Sequence, residues 1–417
     1  MTSPLQPVRG THDLLPDSYA SHHRVIESAA GAARLYGFAQ MDTPIFEFSE
    51  VFHRAVGDTS DIVTKETYTF TDRGGESITL RPEFTAAIVR SFISNGLQQN
   101  LPFKAFYAGP AFRYERPQKG RLRQFHQIGA ELLGAAEPMA DVEIIALAMH
   151  TLRVLGLSDS VVLEINSLGD VESRVSYRET LVKYLSQHEG KLSEDSRLRL
   201  IKNPLRILDS KDAGDREIIA GAPALRDSFN EHAVQHFAAV KAGLDALGIA
   251  YRVSEKLVRG LDYYSHTVFE ITTDKLGAQG TVLAGGRYDG LVKLMGGNDI
   301  AGIGFAAGVE RLVALMDDKN AAQHKPRAAI IPMGEAAEAE GWKCAQMLRD
   351  AGIAVDVAYR GNAKKRFERA NKIGAAFAVI LGEEELKNGT VTLKNLETAE
   401  QRSIAHNALI AALTTND

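Results

Sequence analysis

The stretch FRYERPQKGRLRQFHQIGAE, residues 112–131, indicates how the first part of this chain folds. The apolar runs 103–107 and 128–133 have the composition of strands, and the polar loop between them carries several basic side chains. Arg113 would close the first strand, so its position would be rigid. The stretch therefore predicts two strands joined by a cation-rich loop.

The returning strand places polar and small residues in alternation. Gln127, Gly129 and Glu131 are spaced two residues apart and would share one face of the strand. Gln127 and Glu131 would then line one pocket, with the small Gly129 between them. Guanidinium groups bind phosphate oxygens bidentately, so the arginines of the loop suit a triphosphate. An ordinary solvated hairpin is the alternative interpretation of these residues alone.

Outside this hairpin, the pattern of the first 325 residues predicts an α+β fold. Helical spacing covers 17–35 and 140–155, while 161–165, 268–272 and 302–306 have strand composition. Helices and strands in this order favour a mostly antiparallel sheet with helices packed on it.

Two other regions have a different pattern. Residues 171–247 are charged and helical in spacing without a strand signal, which predicts a helical insertion. After about Lys325, short strands alternate with helices, which predicts βαβ units and a small α/β domain. The expected domains are therefore 1–325, including the insertion, and 326–417.

Composition limits the classes of protein that this chain can be. It has 417 residues, 45% of them apolar, which suffices for two or three domains with real cores. One cysteine, Cys344, excludes a disulfide framework and a cysteine-based metal cluster. The start of the chain lacks the apolar core of a secretory signal, and no run approaches the roughly 20 apolar residues of a membrane span. We therefore expect a cytoplasmic protein without membrane contact.

The charge distribution allows local contact with nucleic acid despite a net charge of −5. Two clusters of basic residues stand out, although a solvated face is the more usual explanation of such a cluster. The first is Arg113, Arg116, Lys119, Arg121 and Arg123, and the second is Arg360, Lys364, Lys365, Arg366, Arg369 and Lys372.

Glu83 lies at a predicted junction between a strand and a helix. Pro82 suits the first turn of a helix because its φ is fixed and it lacks an N–H. Glu83 in that first turn would be stabilised by the helix dipole, which is a sufficient structural reason for its presence. The functional alternative is a carboxylate that receives the ammonium group of a substrate.

A glycine-rich strand enters a helix at residues 302–312. Arg311 would lie in the first turn of that helix, where a cation is disfavoured by roughly 0.3–1 kcal/mol. A nucleotide bound beside the helix start would explain its presence. The turn lacks both the P-loop pattern and the Gly-x-Gly-x-x-Gly pattern, so by itself it is weak evidence.

The stretch KLVRGLDYY, residues 256–264, and the turn AGGRYDG, residues 284–290, combine arginine, glycine and tyrosine in a way that is unusual for a core. If a strand begins at Asp262, Tyr263 and Tyr264 would face opposite sides, and only one would reach a pocket. We expect that one to be Tyr264, whose hydroxyl suits a ligand nitrogen. Tyr288 is a second candidate.

These motifs occur in the order found in a known family. The extended run at Pro44, the hairpin 112–127 and the segment 302–312 resemble motifs 1, 2 and 3 of class II aminoacyl-tRNA synthetases. Residues 257–264 and 284–290 resemble the two motifs of histidyl-tRNA synthetases. The start of the chain, VRGTHDLLP at 8–16, resembles that of bacterial-type members. The resemblance covers essentially the whole chain.

The resemblance implies ATP-dependent activation of histidine to histidyl-adenylate, followed by transfer to the 3′ end of histidine tRNA. It implies a class II catalytic domain in 1–325 and an anticodon-binding domain in 326–417. By this resemblance Arg113 and Arg259 would be catalytic and contact the α-phosphate. The residues that would bind ATP are Arg113, Glu115, Phe125 and Arg311.

The same resemblance assigns the amino-acid pocket and the tRNA contacts. Glu83, Thr85 and Gln127 would hold the α-amino group of histidine, and Glu131 and Tyr264, with Tyr288 as a second tyrosine, would contact the imidazole. A polar site matched to both imidazole nitrogens discriminates by about 10⁴-fold without editing. The residues expected to contact tRNA are Arg116, Gln118, Lys364 and Lys365.

Mg²⁺ would accompany ATP, held mostly by phosphates and water. The twelve histidines form no zinc-ligand pattern with carboxylates, so no metal site made of protein ligands alone is predicted. A homodimer through the motif 1 region is expected from the resemblance only.

Two related proteins are the main alternatives. One is the non-catalytic regulatory subunit of ATP phosphoribosyltransferase in histidine biosynthesis, which lacks the anticodon domain and key motif residues. This chain keeps Arg113, Arg259 and Arg311 and has a C-terminal α/β region. The other is a class II synthetase for proline, threonine or glycine, which the residues from Arg259 to Tyr264 disfavour.

Overall fold

The parts of the chain before and after about Lys325 form separate units in the computed structural model of the chain. One unit spans Met1–Ala321 and the other spans Ala322–Asp417. The structure describes residues 4–57, 62–117, 121–202, 204–210, 212–255, 257, 263–277, 280–316 and 325–414.

The strands of the first unit build one large sheet and one small sheet. They are β1 (Ala39–Gln40), β2 (Phe46–Phe48), β3 (Tyr68–Thr71), β4 (Ser77–Leu80), β5 (Phe103–Phe112), β6 (Gln124–Leu133), β7 (Val162–Ser167), β8 (Arg252–Val253), β9 (Ser265–Thr272), β10 (Thr281–Arg287) and β11 (Gly302–Gly308). The large sheet has the order β1-β5-β6-β11-β10-β9-β7-β8. The pairs β1/β5 and β7/β8 are parallel and the others antiparallel, so the prediction of a mostly antiparallel sheet is confirmed.

Helices cover one face of this large sheet. The helices of the first unit are α1 (Pro16–Leu35), α2 (Ser49–Val56), α3 (Thr85–Ser94), α4 (Pro138–Val154), α5 (Val171–Ser186), α6 (Glu194–Lys202), α7 (Ala213–Ile219), α8 (Glu231–Ala246), α9 (Leu291–Leu294) and α10 (Val309–Leu315). The main core joins apolar residues of α1, α4, α8 and α10 to alternate residues of the strands, such as Ile128 and Ala130 of β6. The side chains on the opposite face of β6 therefore lie outside this core.

The helical region 171–247 divides into two parts. Residues of α5 to α7, including Tyr177, Leu181 and Ile218, pack in a small core of their own. Helix α8 instead packs on the main core through Val240 and Leu244. The part with a separate core thus ends before α8, because α8 buries its apolar residues against α4 and the sheet.

The second unit is a five-stranded sheet with helices. Its strands are β12 (Ala328–Pro332), β13 (Val355–Val357), β14 (Phe377–Leu381), β15 (Thr390–Asn395) and β16 (Gln401–Ala405), and its helices are α11 (Glu335–Asp350), α12 (Ala363–Lys372), α13 (Glu383–Asn388) and α14 (Leu409–Thr414). The order is β13-β12-β14-β15-β16. Strands β12, β13 and β14 are parallel, as the alternating pattern predicts, and β15 and β16 add an antiparallel hairpin that the local pattern does not reveal.

Two boundaries near the pocket differ from the sequence-based expectation. Helix α3 begins at Thr85 rather than near Pro82, and β9 begins at Ser265 rather than at Asp262. Both differences alter how neighbouring side chains reach the pocket. Across the part of the chain that the structure describes, none of the helices has the length and apolar character of a membrane-spanning segment.

Candidate active site

A cavity lies over the face of β6 that the helices do not cover. Phe125 and Gln127 line it, and Gly129 and Glu131 follow on the same face. At about 3.3 Å per residue, Phe125 and Glu131 are roughly 20 Å apart along the strand. Strand β6 therefore connects two chemically different ends of one site.

Glu131, at one end of this strand face, is 1% exposed and contacts Thr85 and Tyr288, which line the cavity. Its Oε1 accepts hydrogen bonds from Thr85 Oγ1 at 2.7 Å and Tyr107 Oη at 3.2 Å, and its Oε2 accepts one from Tyr288 Oη. Burial raises the pKa of Glu131 to about 8, although the three hydroxyl donors favour the ionised form. The carboxyl group is thus held in one orientation by three elements of the chain.

Two glycines make room for this arrangement. A Cβ on Gly304 would lie 1.7 Å from Oε2 of Glu131. A Cβ on Gly129 would lie 2.2 Å from the hydroxyl oxygen of Tyr107 and 2.4 Å from the carbonyl oxygen of Phe305. Glycine is therefore required at position 129 because Tyr107 packs against β6 there. This is a second reason for glycine, beside the space that it leaves between Gln127 and Glu131.

Glu83 also lies in this end of the cavity, in a position that differs from the expected one. It precedes α3 rather than lying in its first turn, and its carboxylate accepts the N–H groups of Thr85 at 2.6 Å and Ala86 at 3.0 Å. Burial raises the pKa of Glu83, while these bonds and the nearby Arg113 lower it. The helix-start role is thus present, and the carboxylate still lines the cavity.

Gln127 presents an acceptor to the same space. Its side chain lines the cavity and is 8% exposed. Within the described part of the protein, its Oε1 accepts no hydrogen bond. A buried acceptor without a donor costs about 1–3 kcal/mol, so a ligand N–H at this position would be favoured.

Tyr263 and Tyr264 both line the cavity, so the prediction that only one of them reaches it is wrong. The reason is that β9 begins at Ser265, and the two tyrosines precede it without strand alternation. Their ring centroids are 4.7 Å apart, and Tyr263 contacts Tyr288 edge to face at 5.7 Å. The turn 284–290 thus contributes Tyr288 to the cavity.

Arg287 of the same turn has a structural role. It is fully buried on the other side of β10, where Nε donates to both carboxylate oxygens of Asp141 and Nη1 donates to Asp289 at 3.0 Å. A buried arginine requires such partners because its charge cannot be neutralised. Only part of the motif therefore belongs to the cavity.

The other end of the cavity carries guanidinium groups. Arg113 Nε donates to the carbonyl oxygen of Pro82 at 2.9 Å, and its Cζ lies 5.4 Å from the ring centre of Phe125. Glu115 forms an ion pair with Arg121 at 3.0 Å. The cavity is lined by all four of these side chains, Arg113, Glu115, Arg121 and Phe125.

Arg311 approaches this end from helix α10. Its Nη1 donates to the carbonyl oxygen of Thr281. Burial lowers the pKa of Arg311, and Arg121 and Arg113 lower it further by repulsion, while Glu115 opposes them. Three cations placed around one space favour an anion there.

A half-buried pair connects β6 to α10, and one of its members, Glu310, lines the cavity. The carboxylate of Glu310 accepts the N–H of His126 at 2.9 and 3.0 Å and lies 2.9 Å from its Nδ1. His22 of α1 is adjacent, and the three residues bring possible metal-ligand atoms within 4.8 Å of one another. The three residues come from three separate elements, so their spacing in the sequence does not reveal the group. The Glu310 carboxylate is already engaged by hydrogen bonds from His126.

The predicted tRNA-binding residues lie at the surface where the structure describes them. Arg116 is exposed in the loop after β5, and Lys364 and Lys365 are exposed on α12. Arg366 of the same basic cluster is buried and donates to the carbonyl oxygen of Pro332 at 2.7 Å. Gln118, Lys119 and Arg259 lie outside the described residues.

Several residues that line the cavity or contact Glu131, among them Tyr107, Arg121 and Tyr263, are not among the predicted site residues. Tyr107 reaches Glu131 because β5 pairs with β6 in the register that sets Tyr107 opposite Gly129. Arg121 is one of five basic residues in a loop, and strand alternation predicts that Tyr263 faces away from the pocket. Register and loop path decide these positions, and neither can be obtained from local pattern.

Comparison with known proteins assigns a family to this combination of fold and site. The family described as Histidyl-tRNA synthetase matches residues 10–312, and the one described as Anticodon binding domain matches residues 327–416. The chain is 58% identical to the histidine–tRNA ligase of Rhodospirillum rubrum over 96% of both chains. It is 53% identical to that of Gluconobacter oxydans, again over 96% of both.

Solved structures give the same result. The apo histidyl-tRNA synthetase of S. aureus is 35% identical to this chain and superposes with a TM-score of 0.86, covering 99% of this chain and 100% of the other. A Bacillus halodurans C protein described as an ATP phosphoribosyltransferase regulatory subunit/histidyl-tRNA synthetase has 22% identity and a TM-score of 0.67. That match covers 91% of this chain and 99% of the other, and it shows a shared fold only. The extent of the family matches and the identity to the relatives show that this chain belongs to the histidyl-tRNA synthetase family.

Proposed function

We propose that this protein charges tRNA with histidine in two steps. In the first step, a carboxylate oxygen of histidine attacks the α-phosphorus of ATP, and pyrophosphate leaves to give histidyl-adenylate. In the second step, a hydroxyl group of the 3′-terminal ribose of histidine tRNA attacks the acyl carbon, and AMP leaves. Family membership supports the reaction class, and the cavity supports the roles of individual residues.

One observation carries the proposal. Acidic and phenolic side chains lie at one end of a single cavity, guanidinium groups lie at the other, and β6 connects the two ends. An amino acid requires a carboxylate for its ammonium group, and ATP requires cations for its phosphates. Holding both in one site replaces an encounter of two reactants by a positioned attack.

Glu83, Thr85 and Gln127 bind the α-ammonium group of histidine in this proposal. Glu83 and Gln127 present acceptors into the cavity, and the Oε1 of Gln127 has no donor within the described protein. An ammonium group has three N–H donors and no acceptor, so it matches this set.

Glu131, Tyr264 and Tyr288 receive the imidazole. Glu131 lies deepest and is oriented by Thr85, Tyr107 and Tyr288, so its position does not depend on the ligand. An amino acid whose side chain lacks the two ring nitrogens would leave buried polar groups unpaired. That cost is the basis of discrimination without a second editing site.

Arg113, Glu115, Phe125 and Arg311 bind ATP, and Arg113 and Arg259 stabilise the charge that develops at the α-phosphate. Nε of Arg113 donates a hydrogen bond to the carbonyl oxygen of Pro82, which fixes the orientation of the guanidinium group without further rearrangement. Donors fixed before the reaction contribute more to the transition state than donors that must reorganise. Mg²⁺ enters with ATP as part of the substrate, coordinated by phosphates and water.

The second unit, taken as 326–417, binds the anticodon end of the tRNA through Lys364 and Lys365, and Arg116 and Gln118 approach the acceptor end. Phosphate contacts of this kind position the nucleic acid without reading its sequence. We further propose that the protein is a homodimer of the cytoplasm, as the resemblance of its motif 1 region implies.

ATP–pyrophosphate exchange with each amino acid tests the proposal. We expect exchange with histidine alone, and we expect Arg259→Ala to retain histidine binding while exchange is lost. Absence of histidine-dependent exchange in the parent protein would favour the non-catalytic regulatory subunit. Unchanged exchange in Arg259→Ala would remove that residue from the mechanism.

A further inference from the structure

Two side chains from one short stretch of the chain donate to backbone carbonyl groups on both sides of the signature segment 257–264. Nδ2 of Asn166, at the end of β7, donates to the carbonyl oxygen of Leu257 at 3.0 Å and contacts that of Glu255 at 3.4 Å. Nη1 of Arg174, in the first turns of α5, donates to the carbonyl oxygen of Tyr264 at 2.6 Å. Both ends of the segment are therefore tied to the junction of β7 and α5.

That junction is itself held firmly. The N–H of Leu168 donates to the carbonyl oxygen of His266 at 2.7 Å, and the N–H of His266 donates back to Gly169 at 2.8 Å. The Asp170 carboxylate accepts from the N–H of Ser173 at 2.8 Å, which caps α5. The junction thus provides a fixed support rather than a flexible linker.

Both the backbone conformation and the packing at position 169 require glycine. Its φ is +70°, and a Cβ there would lie 2.7 Å from that of Ser173. A side chain at this position would be strained by the backbone and would push on the first turn of α5. The path from β7 into α5 is therefore narrowly defined.

Loss of either hydrogen bond is costly because the residues that accept it are buried. Asn166 is 9% exposed, Leu257 is 7% exposed and Tyr264 is 6% exposed, so water has little access to replace a lost donor. A buried carbonyl group left without a donor drives its segment toward another conformation. Tyr264 lines the cavity, so a shift of its backbone displaces its ring there.

We propose that Asn166 and Arg174 are positioning residues for histidine activation, Arg174 through Tyr264 and Asn166 through the chain entering the segment. This inference rests on the proposed function. The two tied carbonyl groups lie on either side of Arg259 in the sequence. Misplacement of a reacting or orienting group by about 1 Å can lower a rate about 100-fold, so even small shifts at these ends affect the reaction.

The two residues act on different quantities. Arg174 supports a residue that contacts the imidazole, so its loss raises KM for histidine and leaves KM for ATP unchanged. Asn166 supports the chain leading to Arg259, so its loss lowers kcat. Arg174 also connects α5, whose apolar face belongs to the separate small helical core, directly to the histidine end of the cavity.

The test is ATP–pyrophosphate exchange on the full chain with separate titrations of histidine and ATP, together with thermal unfolding. For Arg174→Ala we expect KM for histidine to rise about tenfold with KM for ATP unchanged, and for Arg174→Lys we expect most of this effect to be recovered. Arg178→Ala is the matched control, since Arg178 is exposed one turn further along α5. A merely structural role would lower the unfolding midpoint and the active fraction while leaving both KM values unchanged.

Asn166→Asp keeps the shape of the side chain but removes its N–H donors, and we expect kcat to fall at least tenfold. If Arg174→Ala and Asn166→Asp both retain the parental KM for histidine and the parental kcat, the positioning roles are refuted while the proposed function stands. If the parent protein itself shows no histidine-dependent exchange, the proposed function and this inference fail together.

Discussion

The hydroxyl group of Thr85 donates to Oε1 of Glu131 across 2.7 Å and joins the start of α3 to β6. Both residues are buried, so this bond is part of a closed polar network that also includes Tyr107 and Tyr288. A network of this kind holds each member in one orientation before any ligand arrives. The end of the cavity at Thr85 and Tyr288 is therefore preorganised by the protein itself.

Glu131→Gln will weaken histidine binding selectively. Above about pH 8, where Glu131 is ionised, the carboxylate offers two acceptor oxygens and the carboxamide only one, so the carboxamide cannot accept all three hydroxyl donors. An unpaired buried group costs about 1–3 kcal/mol, which corresponds to a rise in KM for histidine of roughly 5- to 150-fold. KM for ATP should be unchanged in pyrophosphate exchange. Glu143→Gln, which changes a carboxylate paired with Lys104 outside the cavity, is the control, and an equal effect of both variants would contradict the assignment.

Glu131 also makes stability depend on pH. Its pKa rises from the ordinary 4.5 to about 8 in the folded protein, so the folded state keeps a proton that the unfolded state has already lost between these values. The contribution of this group to the free energy of unfolding therefore decreases as pH rises through that window. In urea unfolding, the free energy of unfolding of Glu131→Gln should increase relative to that of the parent protein as the pH rises from 4.5 to about 8. Parallel pH curves for the two proteins would refute the shifted pKa.

Gly304→Ala will disturb the same carboxylate by steric overlap. The added Cβ would lie 1.7 Å from Oε2 of Glu131, and a displaced carboxylate loses its hydroxyl donors. We expect a loss of about 1–3 kcal/mol in the free energy of unfolding and a raised KM for histidine. Gly290→Ala has open space around its Cβ and serves as the control. Wild-type histidine binding by Gly304→Ala would mean that this carboxylate does not contact the ligand.

Arg113→Ala will reduce the rate of adenylate formation more than the binding of either substrate. The guanidinium group is held by Pro82 and lies beside Phe125, where the proposed function places the α-phosphate. Removing a preorganised donor to a developing charge lowers kcat by about 10²- to 10³-fold. Single-turnover formation of histidyl-adenylate measures this step directly. Arg402→Ala, an exposed arginine of β16, should leave it unchanged.

Neutralising Lys364 and Lys365 together will weaken binding of histidine tRNA and reduce its salt dependence. Removing one lysine that neutralises a phosphate reduces the slope of log K against log salt by roughly one unit. Filter binding over a range of salt concentrations measures both quantities. Lys343→Ala, which changes another exposed lysine of the second unit, is the control. If the double variant keeps the parental slope, these lysines form a solvated surface only.

Much of the fold followed from local pattern. The hairpin around residues 112–131, the mostly antiparallel sheet and the parallel strands of the second unit are confirmed, since alternation and helical spacing report directly which face of an element is buried. Family membership is also confirmed. The assigned roles of the site residues stay predictions, although the structure brings Glu83, Gln127 and Arg311 around one cavity.

The errors have a common physical cause. Strand alternation from Asp262 predicts that Tyr263 faces away from the pocket, but β9 begins at Ser265. Pro82 predicts a helix start that would include Glu83, but α3 begins at Thr85. The charged, helical pattern of 171–247 predicts one insertion that includes α8, and it does not reveal that α8 packs on the main core. In each case packing against distant residues, rather than local preference, decided where an element begins or what it contacts.

The sequence by itself determined which side chains are available, which strand faces they occupy and which family the chain resembles, because these depend on residue identity and on periods of two or 3.6. Only the tertiary structure decided that Tyr107 and Thr85 both donate to Glu131, that Gly304 must lack a side chain beside it, and that Asn166 and Arg174 support the two ends of 257–264. Each of these relationships joins residues from separate strands or helices. They depend on strand register and chain path, which are set by the packing of the whole core and not by any one segment.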